Sequence, residues 1–370
     1  ATFIHDVPSG RRSERVHAKA VHTSTIMKSR PEHFLAAFFE TFFRLISYKE
    51  KKGELLMLTR YTNYLDSLDP IRKSTKWFTD DFRRLMAINY AIHETPFDAA
   101  RFEHAQAALK QKTGLFSKFR GSNNFVWLSF LDAKYEDIDS AIDEALRLDT
   151  LLDRKHFRFS MLRPFIASQL INVEEPKRRL DEASALYQTF KRNHPWLTSE
   201  EDLLSALVLV QAFDDHEALN TRIETYYEAL KTELPRSNEL QLVSHLLTFS
   251  ELSADEVVAR FLDWHAWLKS QAITVKAEHL PPLALLSIVS APNEKDRRDV
   301  IEITNAEKER NRWFHIHALT VALQLVAAEN IKKDASDLLL HGTFTHLLAM
   351  QQAATAATTV AIISSNVSSD

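Results

Sequence analysis

The stretch NHPWLTSEEDLL, residues 193–204, gathers a histidine, a tryptophan, two hydroxyls and several carboxylates into a single run. Those residue types could do general acid–base chemistry, with His194 as base beside Glu201 or Asp202 and His245 supplied by a later segment. Such chemistry needs the base within hydrogen-bonding reach of a reacting proton. The elements that carry these four residues therefore decide whether they form a site. The same stretch also reads as punctuation between helices. Pro195 disfavours helical geometry at His194 and stops one helix. Thr198 and Glu201 then form a T-x-x-E capping box for the next, with Ser199 and Asp202 an equally legal register one residue on. Trp196 and Leu197 are expected to fold beneath the connection. Only His194 has no structural task in this reading.

Other constellations are weaker. His315 and His317 lie two apart on an expected helix, about 200° around it, and cannot chelate from one face. His341 and His346 are five apart, and His93-Glu94 stands without a second histidine to complete a zinc motif. Asp80 and Asp81 beside Arg83 and Arg84, and Asp214 and Asp215 before His216, read as caps and solvated faces. No nucleophile elbow occurs, and no cofactor or metal is expected.

Composition narrows the classes further. The chain has 370 residues, no cysteine and a formal net charge of −4. A disulfide framework, a thiolate metal site and a cysteine nucleophile are excluded. With no secretory pattern, a reducing cytoplasmic compartment in a bacterium is expected. Basic clusters alternate with acids, which argues against a nucleic-acid stripe. Only five glycines occur, at 10, 53, 114, 121 and 342. Phosphate-cradling loops and dinucleotide folds need glycine where backbone approaches a pyrophosphate, so neither is expected.

Residues 1–26 have no sustained period and read as a disordered or appended leader. Residues 27–95 read as an amino-terminal helical cap, with an apolar stripe of Leu35, Phe38, Phe39, Phe42, Leu45 and Ile46 and further helices over 53–70 and 77–94. Residues 331–370 read as a terminal helix and tail. Gln and Thr within 347–363 argue against a membrane span there.

Between 96 and 330 the chain repeats. Apolar second-helix runs end near Leu131, Leu170, Leu209, Phe249, Ile288 and Leu325, giving gaps of 39, 39, 40, 39 and 37. An acidic residue opens the first helix of each unit at Asp98, Asp139, Asp181, Glu217, Asp255 and Asp296, where it suits the helix dipole. AALKQKTGLFS (107–117) aligns with QTFKRNHPWLT (188–198), laying Lys110 on Lys191 and Leu109 on Phe190. Six helical hairpins are expected. The fold class is all-α: a curved right-handed α-solenoid nearest in repeat length to the HEAT class, because one hairpin cannot bury its apolar face alone.

The runs LKQKTGLFSKFR (109–120), HPWLTSEED (194–202) and NELQLVSHLL (238–247) resemble an uncharacterised family of cytoplasmic Firmicute proteins, domain of unknown function number four thousand and three. The resemblance spans roughly residues 72–330. Ser237-Asn238 stands where that family is expected to carry Gly-Asn. The resemblance implies an all-helical fold and brings no activity, cofactor or catalytic residue.

The leading expectation is a non-enzymatic helical-repeat protein that binds a protein or peptide on its concave face, with neither nucleic acid nor membrane as partner. The alternative is an enzyme of unknown reaction with a polar site inside the stack, drawing on His194, Glu201, Asp202 and His245.

Overall fold

The computed structural model describes residues 58–75, 79–115, 117–120, 124–153, 157, 160, 162–310, 318–331 and 342. They fall within the compact unit Leu55–Asp370. The leader, the stripe from Leu35 to Ile46, both spaced histidine pairs, the Asp81 side chain and the segment 347–363 lie outside the described residues.

Fourteen α-helices and no strand occur among the described residues: α1 Thr59–Ser74, α2 Asp80–Ile92, α3 Ala99–Lys112, α4 Asn124–Lys134, α5 Ile138–Asp149, α6 Arg163–Gln169, α7 Pro176–Asn193, α8 Glu201–Ala212, α9 His216–Leu230, α10 Asn238–Leu247, α11 Ala254–Ser270, α12 Leu280–Val289, α13 Glu294–Arg310 and α14 Ala318–Asn330. The fold is all-α. Pro70, expected to end the first of these, lies inside α1. Asp181 falls in the second turn of α7, because Pro176 starts that helix earlier than the acidic signal suggests. Asp98 is the N-cap of α3, accepting from the Ala100 and Arg101 amides, whereas Asp137 rather than Asp139 caps α5.

Odd and even helices differ in what they bury. In α5 the buried residues are Ile138, Ala141, Ile142, Ala145 and Leu148, one stripe at helical spacing. In α8 every residue from Asp202 to Val210 is buried, and in α14 every one from Ala318 to Ala328. A helix apolar all round is surrounded on all sides. The packing agrees: each odd helix lies on the even helix that follows it, and α2, α4, α6, α8, α10, α12 and α14 contact one another in sequence.

That row does not stop. Helix α14 packs on both α1 and α2, so the even helices form an unbroken cycle. Of residues 27–95, read above as an amino-terminal cap, the described part forms the α1–α2 hairpin. That hairpin is part of the cycle. Polar chemistry holds the junction together. Glu307 of α13 has a fully buried side chain and pairs with Arg84 of α2. It also accepts from the Tyr61 hydroxyl at 3.2 Å and the Tyr64 hydroxyl at 3.1 Å, both from α1. Arg60 of α1 reaches Glu329 of α14 at 3.7 Å.

A second device recurs around the cycle. Arg60, Arg101, Arg179, Arg222 and Arg260 each project from an odd helix and donate to carbonyls at or just past the C-terminal end of the following even helix. The acceptors are Ala91 at 3.2 Å, Asp132 at 3.0 Å, Val210 at 2.8 Å, Ser250 at 2.5 Å and Ser287 at 3.4 Å. Arginine suits carbonyls left without intrahelical partners. These side chains fix the two helices of a hairpin at one end, leaving the opposite connections to carry distinct residues.

Candidate functional site

The α7–α8 connection shows what the stretch 193–204 does. Helix α7 ends at His194, before Pro195, with the His194 backbone at φ −133°. The Thr198 hydroxyl donates back to the His194 carbonyl at 2.9 Å and accepts from the Gln241 amide at 3.2 Å. It therefore closes the end of α7, and the T-x-x-E cap is corrected. Of the alternative register only half forms: the Ser199 N–H donates to the Asp202 carboxylate at 2.8 Å, while the Ser199 hydroxyl bonds Glu201 and no side chain caps the α8 amides. The Pro195 stop places Thr198 within reach of the carbonyls it must satisfy, so its hydroxyl cannot also face α8. Thr198→Ala is expected to cost about 1 kcal/mol through two lost hydrogen bonds, and Thr198→Ser to restore most of it. Urea unfolding of the two variants checks this.

The four sequence candidates divide. His194 Nε2 lies 3.0 Å from the Glu224 carboxylate, with its ring tilted against Tyr227 at 4.2 Å between centroids. It ties α7 to α9, which is the structural task that the sequence alone leaves open. Glu201 is engaged with Ser199. Asp202 and His245 do come together, Nδ1 to Oδ1 at 3.6 Å, with side chains 8% and 2% exposed. Burial pushes the Asp202 carboxyl up to about 7, against the opposing pull of the Ser199 amide. His245 stacks on Phe190, ring centroids 4.3 Å apart. A carboxyl titrating near neutrality beside an imidazole is the raw material of acid–base catalysis. Here it lies beneath an aromatic ring and almost out of reach of solvent. Glu224, Phe190, Thr198 and Gln241 escape sequence reasoning as members of this cluster because nothing in their spacing links α7, α9 and α10 across the hairpins.

The connections at this end are stitched together. Lys118, between α3 and α4, donates to the Ser160 carbonyl at 2.9 Å, and the Ser160 hydroxyl donates to Glu200 at 2.9 Å. Three successive outer-to-inner connections thus form one rim. On that rim stand the exposed large hydrophobic residues of the described chain, Leu115 at 81% and Trp196 at 94%. Burial of Trp196 under the connection is corrected. Thr198 turns inward to the α7 end and Gln241, which leaves Trp196 at the outer tip of the turn, while Leu197 is half-buried against the core. The alignment of 107–117 with 188–198 lays Leu115 on Trp196, just as it lays Lys110 on Lys191. Both lysines are exposed.

Elsewhere the aromatic residues are structural. Trp127 and Trp264 are fully buried, their indole N–H groups held by Ser168 and by the Ser290 carbonyl. Ser237, at the family's expected Gly-Asn position, is an extended N-cap accepting from the Leu240 amide at 3.2 Å, so no glycine geometry is needed there. No group of three metal-ligating side chains occurs among the described residues, and no described helix is long and apolar enough to cross a membrane.

The class defined by these features is an all-helical protein of paired helices whose inner layer closes on itself and whose outer-to-inner connections form a polar rim with isolated apolar tips. The chain belongs to the family described as protein of unknown function (DUF4003), whose model matches residues 68–356. It is similar to the uncharacterized protein YeaA of Bacillus subtilis (strain 168), at 26% identity over 319 residues, covering 83% of this chain and 95% of that protein. No solved structure matches the chain.

Proposed function

We propose that the protein is a non-enzymatic helical scaffold that binds a protein or peptide partner on the rim of outer-to-inner connections, with Trp196 and Leu115 as anchors. The observation that carries this reading is the near-complete exposure of Trp196 at a position equivalent to exposed Leu115. A tryptophan exposed to that degree gains nothing from its own fold, and tryptophan is the residue type most often found at the energetic centre of an interface. The site moves from the concave face to the rim because the inner helices are surrounded on every side.

The paired variant Trp196→Ala with Leu115→Ala is expected to leave unfolding free energy within about 0.5 kcal/mol of wild type, since neither side chain is buried. In quantitative affinity capture with the full chain as bait, a specific partner is expected to be retained by wild type and by Glu136→Ala at an opposite connection, and lost by the pair. Equal capture by all three proteins removes the rim from the interface.

The Asp202–His245 contact supports a second reading, an enzyme with its site inside the helical layer. If Asp202→Asn preserved folding and abolished a measured turnover, that reading would replace the scaffold.

A further inference from the structure

A further feature, which shares Leu115 with the rim, lies between α3, the connection that follows it, and α4. There the structure has a cavity of about 300 Å³. Its apolar wall is built by Leu109, Leu115, Phe119, Phe125 and Leu128, and among the described residues its polar lining includes Lys110 and Arg120 but no carboxylate. The two cations hold different stations. Arg120 is committed to the loop, its Nε donating to the Thr113 hydroxyl at 3.0 Å and its terminal nitrogen to the Lys110 carbonyl. The Lys110 ammonium is exposed and has no ion pair among the described residues.

Cavities of this size are at the lower end of those that hold small molecules, which are typically apolar with a few fixed polar groups. At about 30 Å³ for each water-sized group, the volume admits on the order of ten heavy atoms. A cavity whose described lining has an apolar wall, two positive charges and no negative one matches a short aliphatic chain ending in an anion. We infer that this cavity binds a medium-chain aliphatic carboxylate, its tail against Phe119, Phe125 and Leu128 and its head group at Lys110. The Arg120 guanidinium, fixed by the loop, adds a second positive charge without having to be ordered on binding. Conformational freedom lost on association is one of the main terms opposing it.

The probes are sodium decanoate, decanol and decylamine, titrated into the full chain by calorimetry. Decanoate is expected to bind saturably at one site, decanol more weakly, and decylamine not at all. Lys110→Glu and the milder Lys110→Gln both change an exposed residue. Lys110→Glu is expected to weaken decanoate at least about tenfold, equivalent to about 1.4 kcal/mol, and to leave decanol unchanged. Phe125→Trp, which fills the cavity from a half-buried position, is expected to reduce all binding. Trp196→Ala, outside the cavity lining, is expected to change none of it, so the partner rim and this site are told apart through Trp196, Leu115 being common to both. No saturable heat with decanoate up to about 1 mM, or equal binding of decanoate and decylamine, overturns the assignment. So does decanoate affinity unchanged in both Lys110 variants.

Discussion

Replacing Glu307 with alanine is expected to destabilise the protein by about 3–5 kcal/mol, the usual cost of breaking a buried ion pair by removing one partner. The side chain is fully buried and makes its ion pair with Arg84, itself only 5% exposed. Removing the carboxylate deprives the buried Arg84 guanidinium of the closest charge it faces on α13. It also takes the acceptor from the Tyr61 and Tyr64 hydroxyls. Burial, the largest cause of the raised pKa of both phenols, persists when Glu307 is removed, so neither ionises to compensate. Tyr61→Phe and Tyr64→Phe, which delete one hydroxyl each and leave the ion pair, are expected to cost only about 1 kcal/mol apiece. Chemical denaturation of the three variants gives the ordering. A Glu307→Ala loss no greater than that of either phenylalanine variant would show that the junction between α13 and α1–α2 is held by apolar packing alone.

The second large effect depends on pH. The Asp202 carboxyl titrates at about 7 in the folded protein and at about 3.9 in an unfolded chain. Below the unfolded value both states are protonated and the group is neutral in its effect. Between about 4 and 7 the unfolded chain releases the proton while the folded protein keeps it. Each pH unit across that window therefore removes about 1.4 kcal/mol of stability. Above 7 both states are ionised and the loss is complete, about 4 kcal/mol. Asp202→Asn keeps an oxygen for the Ser199 amide and cannot ionise. It is expected to match wild type at pH 4 and to exceed it by about 4 kcal/mol at pH 8. Urea midpoints at those two values are the measurement. A difference independent of pH would mean that the Asp202 carboxyl has the same pKa in the folded protein as in the unfolded chain.

Local order is largely legible in the residues. The apolar runs ending at Leu131, Leu170, Leu209, Phe249, Ile288 and Leu325 lie on or beside α4, α6, α8, α10, α12 and α14, because helical spacing and burial leave a direct imprint on hydrophobic pattern. Pro195 ends α7 for the reason its ring dictates. Closure is not legible. It depends on Glu307 meeting Tyr61, Tyr64 and Arg84 across more than 220 positions of chain, and no periodicity encodes a contact made once. The recurring arginines do leave a signal, since Arg60, Arg101, Arg179, Arg222 and Arg260 sit in the first two turns of α1, α3, α7, α9 and α11. Acidic N-terminal residues in the same helices mask it, because they carry the more familiar helix-start chemistry.

At the candidate site the limits are different. His194, Glu201, Asp202 and His245 group by compatible chemistry, and two of them do meet. His194 is drawn away from them by Glu224, which lies 30 residues on and one hairpin away. The size of Trp196 points to the core. Its exposure follows from the direction of a turn that Thr198 sets, and side-chain size carries no information about that direction.

A cycle of helices has arithmetic that an open array lacks. Rotation contributed by each hairpin must sum to a full turn before α14 can meet α1 and α2. Inserting or deleting one hairpin would leave a gap or an overlap at the Glu307 junction. Length variation is therefore confined to the connections, and the number of hairpins is a quantised property of the fold.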